Sequence, residues 1–178
     1  MCKKEKLLYF VLILGMIISL FLVYEHFSAS LDKFCSSGTS FDCGIVNKSP
    51  YANLDGIFYL FSVDFGMNVP TFDIKSINWF FDLITSNAFL GFITLVLLFV
   101  MYYNYKKNKD FLFIKNRKII FWIKGILIFS LLYGAYLFSI QHFILKTYCI
   151  LCLGLDAVIV VSLILIFTIK PNNKVSKI

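Results

Sequence analysis

Charged side chains are scarce in this sequence. Only 15% of its 178 residues are Asp, Glu, Lys or Arg, while 60% are hydrophobic; soluble domains carry roughly 25% charged residues. The mean hydropathy of +0.83 leaves too few polar side chains to cover a water-soluble globule. The sequence also lacks any internal repeat with a period of roughly 20 to 50 residues. These shortages exclude a soluble domain, a disordered chain, a collagen-like repeat and a coiled coil.

Basic residues outnumber acidic ones and give a net charge of +7, but their positions argue against nucleic acid as a partner. Of the 17 Lys and Arg residues, 12 lie in three short stretches, each beside an apolar run: Met1–Lys6, Lys106–Lys118 and Lys170–Ile178. Clusters of this kind are typical of the cytoplasmic side of a membrane protein. We therefore expect the lipid bilayer, and no nucleic acid, to be the partner that the charge implies.

Four apolar segments are long enough to cross the roughly 30 Å hydrocarbon core, which takes about 20 helical residues. They are Leu7–Phe27, Asn87–Tyr105, Ile119–Leu145 and Tyr148–Ile169. Each is expected to be a helix, because a spanning segment must satisfy its own backbone hydrogen bonds. The first is expected to be retained, since its apolar run exceeds that of a signal peptide. The sequence predicts an all-α integral membrane protein, a four-transmembrane-helix bundle in one domain of residues 1–178.

The distribution of lysines predicts the orientation of the bundle. Residues 106–118 carry six Lys or Arg, whereas residues 28–86 carry three. By the positive-inside rule, we expect a multi-pass protein of the cell (inner) membrane with both termini in the cytoplasm and residues 28–86 on the outer, periplasmic face. This outer loop is too long for a plain connection. Ser76–Thr85 is predicted to form an amphipathic helix in the membrane interface, whereas Leu54–Phe65 fits a strand, a re-entrant segment or a surface helix.

Four of the five cysteines fall on the predicted outer side, where disulfides persist. Cys35 and Cys43 lie in the outer loop with seven residues between them, and Cys149 and Cys152 form a Cys-x-x-Cys at the outer start of the fourth span. Cys2 is expected to be cytoplasmic and without a role. Two thiols one turn apart can close an easily reduced disulfide, and a helix N-terminus stabilises the attacking thiolate. The pattern favours electron transfer between an aqueous thiol and a lipid-soluble carrier.

Two other interpretations of the cysteines remain open. They could form stable structural disulfides in a non-catalytic membrane protein. Four cysteines could also bind zinc, but one pair begins a membrane helix and no second Cys-x-x-Cys exists. We therefore expect no metal.

A few polar residues fall inside or at the edge of the predicted spans. Asp156 lies seven residues after Cys149, on the same helix face and about 10 Å deeper. A carboxylic acid there costs roughly 2.5–3.5 kcal/mol, which favours a functional role over a plain hydrogen bond to another helix. Asn87, at the start of the second span, is either a helix cap or a site residue. His26 and His142, near the outer interface, could exchange protons with a carrier or simply be solvated.

Several of these motifs resemble those of the vitamin K epoxide reductase family. Phe34–Cys43 followed by Ser49 resembles that family's loop, which has two cysteines separated by seven residues and then a Ser or Thr. Tyr148–Cys152 resembles the Cys-x-x-Cys on its last core helix. Ser86–Gly91 is similar to the start of the second helix in the animal enzymes, and Ser49–Ala52 looks more like the prokaryotic members. The resemblance covers about residues 7–170.

The resemblance implies a helix bundle around a quinone, capped by the outer loop. By the family pattern, Cys35 meets an external thiol, Cys43 exchanges disulfides with Cys149, and Cys152 faces the quinone ring. Three further side chains are expected beside the quinone: Asn87, Ser49 and Asp156. The animal pattern has Tyr where Asp156 stands, a departure that counts against epoxide reduction and supplies an acid able to donate a proton.

The function implied is that of a thiol:quinone oxidoreductase. It would oxidise a thioredoxin-fold (DsbA-like) partner on the outer face, reduce a quinone of the menaquinone, ubiquinone or vitamin K type, and so support disulfide formation. Many prokaryotic members carry a fused thioredoxin-like domain, but this sequence ends eight residues after Lys170, so we expect a separate partner. The alternatives are a vitamin K or quinone-epoxide reductase fed by cellular thiols, and a non-catalytic membrane protein with structural disulfides.

Overall fold

A computed structural model describes residues 3–27, 41–64, 66, 78–107, 109–112 and 114–169 of the chain. Within these ranges the regular structure is helical, and strand-like pairing is limited to isolated bridges. Four of the helical segments are long and apolar enough to cross a membrane, at Lys3–Phe27, Asn87–Lys106, Lys118–Leu145 and Ile150–Thr168. The prediction of an all-α protein with four membrane-spanning helices is confirmed.

The helices follow one another with short connections in the second half of the chain. In chain order they are α1 (Lys3–Phe27), α2 (Cys43–Lys48), α3 (Gly56–Tyr59), α4 (Trp79–Thr85), α5 (Asn87–Lys106), α6 (Asn116–Ile140) and α7 (Ile150–Thr168). A 3-10 turn covers Pro50–Ala52, and π-helical turns extend α3 over Leu60–Asp64 and α6 over Gln141–Leu145. The apolar Leu54–Phe65 stretch is thus mainly helical where the structure describes it.

The four long helices form an antiparallel bundle in which α1 packs on α5 and α7, and α6 packs on the same two helices. The core between them contains Leu12, Leu95, Leu98 and Ile166, while large apolar side chains elsewhere face outward, as a lipid-embedded bundle requires. Gly15 allows α1 and α7 to approach closely, because a Cβ atom there would lie 2.7 Å from Val158 Cγ1.

The two ends of the bundle differ. At the lysine end, where α1 begins and α5 ends, the buried Glu5 carboxylate forms an ion pair with Lys106. At the cysteine end, where α1 ends and α5 and α7 begin, the described residues 41–64 and 78–85 form a cap. The cap joins α5 through a bridge between Asn53 and Ser86, and α2 contacts both α1 and α7.

The cap includes the short helix that the sequence predicts for the membrane interface. Helix α4 covers Trp79–Thr85 and begins after Asn78, whose side chain accepts a hydrogen bond from Phe80 N at 3.4 Å. Ser76 and Ile77, the first residues of the predicted helix, lie outside the described residues. Trp79, Phe80 and Phe81 are exposed, while the Asp82 carboxylate contacts His26. The element is therefore a short helix with exposed aromatic side chains and one acidic contact to the bundle.

Candidate active site

Cys43 is the first residue of α2 and is fully buried, with 0% of its surface exposed. Asp42 caps the helix, because its Oδ1 accepts a hydrogen bond from Ile45 N at 3.0 Å. Cys43 is disulfide-bonded. The predicted site residue Cys35 lies outside the described residues, as does Cys2.

Cys149 and Cys152 form a disulfide at the start of α7, with their Cα atoms 5.2 Å apart. Cys149 is the N-cap of the helix: its Sγ accepts a hydrogen bond from Cys152 N at 3.1 Å. Its own backbone N–H donates to Gln141 Oε1 at 3.0 Å. Helix α7 begins at Ile150. Two residues before it, Tyr148 forms a β-bridge with Phe41 of the cap. The Cys-x-x-Cys therefore lies at a helix N-terminus, where the helix dipole favours a thiolate.

The fold brings Cys43 and Cys149 into one buried cluster. Both residues have 0% of their surface exposed, and they belong to one apolar cluster with Leu22 and Ala88. The residues immediately before the two cysteines are also joined, because Asp42 N donates a hydrogen bond to the carbonyl oxygen of Tyr148 at 3.0 Å. The cap is thereby fixed to the start of α7 beside both cysteines.

Cys152 opens onto a small cavity of about 80 Å³ at the cysteine end. The cavity is walled by α5, α6, α7 and the cap, and its lining includes all three polar residues that the sequence analysis expects beside a quinone: Asn87, Ser49 and Asp156. Ser49 ends α2, and its hydroxyl donates to the Val46 carbonyl at 2.7 Å.

A larger groove of about 650 Å³ continues from this cavity between α5 and α6, with α7 behind it. Asn87 and Asp156 line both spaces. Beyond them the walls are almost wholly apolar and reach Leu98 on α5 and Trp122 on α6, a length of roughly 16 Å along α5 at 1.5 Å per residue. The volume lies within the roughly 300–1,000 Å³ of ordinary ligand sites.

Two hydrogen bonds fix the side-chain amide of Asn87. Its Nδ2 donates to the Tyr51 carbonyl at 3.0 Å, and its Oδ1 accepts from the Tyr133 hydroxyl at 2.7 Å. The interpretation of Asn87 as a helix cap is wrong, because Ser86 occupies the cap position and its Oγ accepts from Phe89 N. Sequence reasoning did not single out Tyr133.

Asp156 lies on α7 against α6. Its carboxylate packs so closely on Gly134 that a Cβ atom there would overlap Oδ1. The side chain is half-buried and faces the groove beside Asn87.

The two histidines line neither space. His26 is 8% exposed, so the interpretation of a solvated residue is wrong for it. Its Nδ1 lies 2.7 Å from the Asn47 carbonyl oxygen, and its Nε2 lies 3.2 Å from both Asp82 carboxylate oxygens. His142 is exposed, with Nδ1 2.6 Å from the Tyr148 hydroxyl. Within the described ranges no three His, Cys, Asp or Glu side chains form a group able to hold a metal ion.

The model of one protein family, the vitamin K epoxide reductase family, matches residues 6–167 and so covers nearly the whole chain. No curated protein matches the sequence.

Proposed function

This chain belongs to the vitamin K epoxide reductase family, whose members are membrane-embedded, thiol-dependent quinone oxidoreductases, and from that premise we propose how its cysteines carry electrons. A thioredoxin-fold (DsbA-like) partner supplies electrons, which pass through Cys35, Cys43, Cys149 and Cys152 to a quinone. The oxidised partner then forms disulfides in other proteins. The observation that carries the proposal is the joint burial of Cys43 and Cys149, with Cys152 opening onto a cavity.

The first exchange takes place in the outer loop. A thiolate of the reduced partner attacks Cys35 of a Cys35–Cys43 disulfide, and Cys43 leaves as a thiolate. The second thiol of the partner then breaks the mixed disulfide, so that the partner departs oxidised and Cys35 carries a thiol. The full burial of Cys43 supports this order, because a soluble protein has no access to its sulfur.

The second exchange moves the electrons into the bundle. The Cys43 thiolate attacks Cys149 Sγ, and Cys152 leaves as a thiolate facing the cavity. The Cys35 thiol then displaces Cys149 from Cys43, which restores the loop disulfide and leaves Cys149 and Cys152 reduced. The backbone hydrogen bond between the residues that precede Cys43 and Cys149 supports this step, because it holds the two cysteines in one cluster.

The residues around Cys152 fit a quinone. A quinone held by these residues would accept two electrons and two protons as the Cys149–Cys152 disulfide reforms, and this redox chemistry belongs to the quinone. Asn87 offers a polar N–H beside Cys152, and the groove offers an apolar channel. The length and apolar walls of that groove suit a prenyl tail, which menaquinone, ubiquinone and vitamin K share.

Asp156 is the acid that we assign to proton supply at this site. It lines both the cavity of Cys152 and the groove. A carboxyl group between the two can give a proton to a ring oxygen and recover it through the cavity, provided that it is protonated when the electrons arrive.

We also propose that the cysteine end faces the outer, periplasmic side of the cell (inner) membrane and that both termini face the cytoplasm. The described lysines near the N-terminus and between α5 and α6 lie at the lysine end, in agreement with the positive-inside rule. The partner then meets the cap on the side where disulfides persist.

The decisive experiment is anaerobic quinone reduction by the purified protein in detergent. A reduced thioredoxin-fold protein is the electron donor, and quinone absorbance is followed for the wild type and for Cys152→Ala. We expect turnover in the wild type and none in the variant, because no thiolate then faces the cavity. Cys2→Ala is the matched control and retains full turnover.

Two outcomes contradict the proposal. Full turnover in Cys152→Ala excludes this relay. No turnover of the wild type with any of several quinones, in folded protein whose four outer cysteines (Cys35, Cys43, Cys149 and Cys152) are oxidised, instead favours structural disulfides.

A further inference from the structure

We infer that Tyr133 is a positioning residue of the quinone site, which acts by fixing the amide of Asn87. This inference rests on the proposed function. Tyr133 lies on α6 and Asn87 on α5, 46 residues apart in sequence, and a 2.7 Å hydrogen bond joins these two residues, both of which line the groove.

The hydrogen-bond chemistry of Asn87 determines which of its atoms face which neighbours. A backbone carbonyl can only accept, so the Tyr51 oxygen requires the amide nitrogen on its side. This leaves Oδ1 to accept the Tyr133 proton. The nitrogen has two hydrogens, and Tyr51 uses one of them. The second hydrogen remains for a ligand in the space that Asn87 lines.

The Tyr133 hydroxyl affects both the direction and the donor strength of that second N–H. It holds the amide plane from the side opposite Tyr51, so that the N–H keeps one direction. It also polarises the amide, because a hydrogen bond received at the oxygen makes the nitrogen a stronger donor. A ring carbonyl of a quinone is the acceptor that such a donor fits, and the hydrogen bond strengthens as negative charge develops on that oxygen.

The surroundings of Tyr133 offer its hydroxyl few polar partners other than Asn87. Its side chain lines the groove, whose walls there are otherwise mostly apolar. Its neighbour Gly134 carries the contact with Asp156. Tyr133, Asn87 and Asp156 thus bring one polar group each from α6, α5 and α7 to the same part of the groove.

Tyr133→Phe tests the inference, because it removes one hydroxyl and keeps the ring. We expect the KM for quinone to rise roughly 3- to 10-fold, the effect of one lost hydrogen bond. The rate of disulfide exchange with the reduced partner, measured without quinone, is expected to stay unchanged. Tyr136→Phe is the matched control on the same helix, since the Tyr136 hydroxyl makes no hydrogen bond within the described ranges.

A double-mutant cycle separates positioning from direct contact. In Asn87→Ala, the further change Tyr133→Phe is expected to have no additional effect on the KM, because the tyrosine acts only through that amide. Asn87→Ser gives the same comparison with a smaller loss of packing.

Several results overturn the inference while the proposed function stands: an unchanged KM in Tyr133→Phe, an equal rise in Tyr136→Phe, additive effects in the cycle, or an equal fall in quinone reduction and thiol exchange. The last pattern indicates a merely structural bond between helices. A wild type that exchanges thiols but reduces no quinone overturns both the inference and the proposed function.

Discussion

His26 joins three separate parts of the chain through its two ring nitrogens. It lies at the end of α1, and its partners are the Asn47 carbonyl in α2 and the Asp82 carboxylate in α4. Both partners are acceptors, so both contacts are hydrogen bonds only when each ring nitrogen carries a proton. Asn53 completes the cluster by donating to Asp82 Oδ1 at 2.7 Å. His26 therefore fastens the cap, and with it Cys43, to the bundle.

We predict that His26→Ala loosens the cap while the bundle stays folded. Removing the imidazole leaves Asp82 partly buried with fewer donors, which costs roughly 1–3 kcal/mol. Hydrogen exchange measured by mass spectrometry is expected to speed up in α2 and α4 and to stay unchanged in α5 and α6. His142→Ala is the control, because its exposed ring is expected to contribute within about 0.5 kcal/mol. Equal effects of the two variants would contradict this role.

The sequence identifies site residues that belong to a recognisable motif. It does not identify residues whose role depends on a contact with a residue far away in the chain. The Cys-x-x-Cys pattern identified Cys149 and Cys152, which form the disulfide. Tyr133 carries no such signal: it is one of ten tyrosines, and only the fold brings it to Asn87. The sequence predicts His26 to lie near the outer interface, but its partner Asp82 is 56 residues away. Long-range contacts of this kind have no local signature.

At the scale of elements, the contact between α6 and α7 determines where Asp156 lies. Gly134 has no side chain, so the Asp156 carboxylate can lie directly against the α6 backbone. By contrast, a Cβ atom at Gly125, nine residues earlier on the same helix, would meet nothing within 4 Å. The packing of α7 on α6 therefore requires a glycine at position 134 but not at position 125.

We predict that Gly134→Ala and Gly125→Ala have opposite effects on stability. Alanine favours a helix over glycine by about 1 kcal/mol, so Gly125→Ala is expected to be neutral or stabilising. In Gly134→Ala the new methyl group displaces the Asp156 carboxylate or separates the helices, at a cost of roughly 1–3 kcal/mol. Thermal unfolding in detergent measures the difference, and quinone reduction is expected to fall in Gly134→Ala. A stabilised, fully active Gly134→Ala would contradict this account.

Long helices are easier to predict from the sequence than short ones. The four membrane helices are predictable because a run of about 20 apolar residues has few alternatives. Helices α2 and α3 have six and four residues, too few to be stable without tertiary contacts. For the same reason the sequence alone left Leu54–Phe65 undecided. Its helical form depends on packing, since Gly56 lies so close to Tyr51 that a Cβ atom would be 2.6 Å from the tyrosine Cα.

At the scale of the whole molecule, the two ends of the bundle have different surfaces. The turn after α6 brings Lys146 to the cysteine end, exposed and close in sequence to the Cys-x-x-Cys. The connection between α5 and α6 exposes Lys109 at the lysine end. In the proposed orientation, the bilayer separates the surface proposed to meet a thiol partner from the surface that carries most of the described basic residues.

We predict that single cysteines at these two positions are accessible from opposite sides of the membrane. In a Cys2→Ala background, Lys146→Cys is expected to react with a membrane-impermeant maleimide in intact cells. Lys109→Cys is expected to react only after the membrane is permeabilised. Gel-shift detection of the label gives the result, and the reverse pattern would contradict the proposed orientation.

The complete burial of Cys43 and Cys149 also insulates the path between them. Small thiols dissolved on either side of the membrane cannot approach these two sulfurs directly, because neither sulfur is exposed. Disulfide exchange between these buried sulfurs is therefore not disturbed by direct reaction with small thiols in solution. In the relay proposed above, electrons then reach these two sulfurs through Cys35, so the protein that docks there determines which thiols supply them.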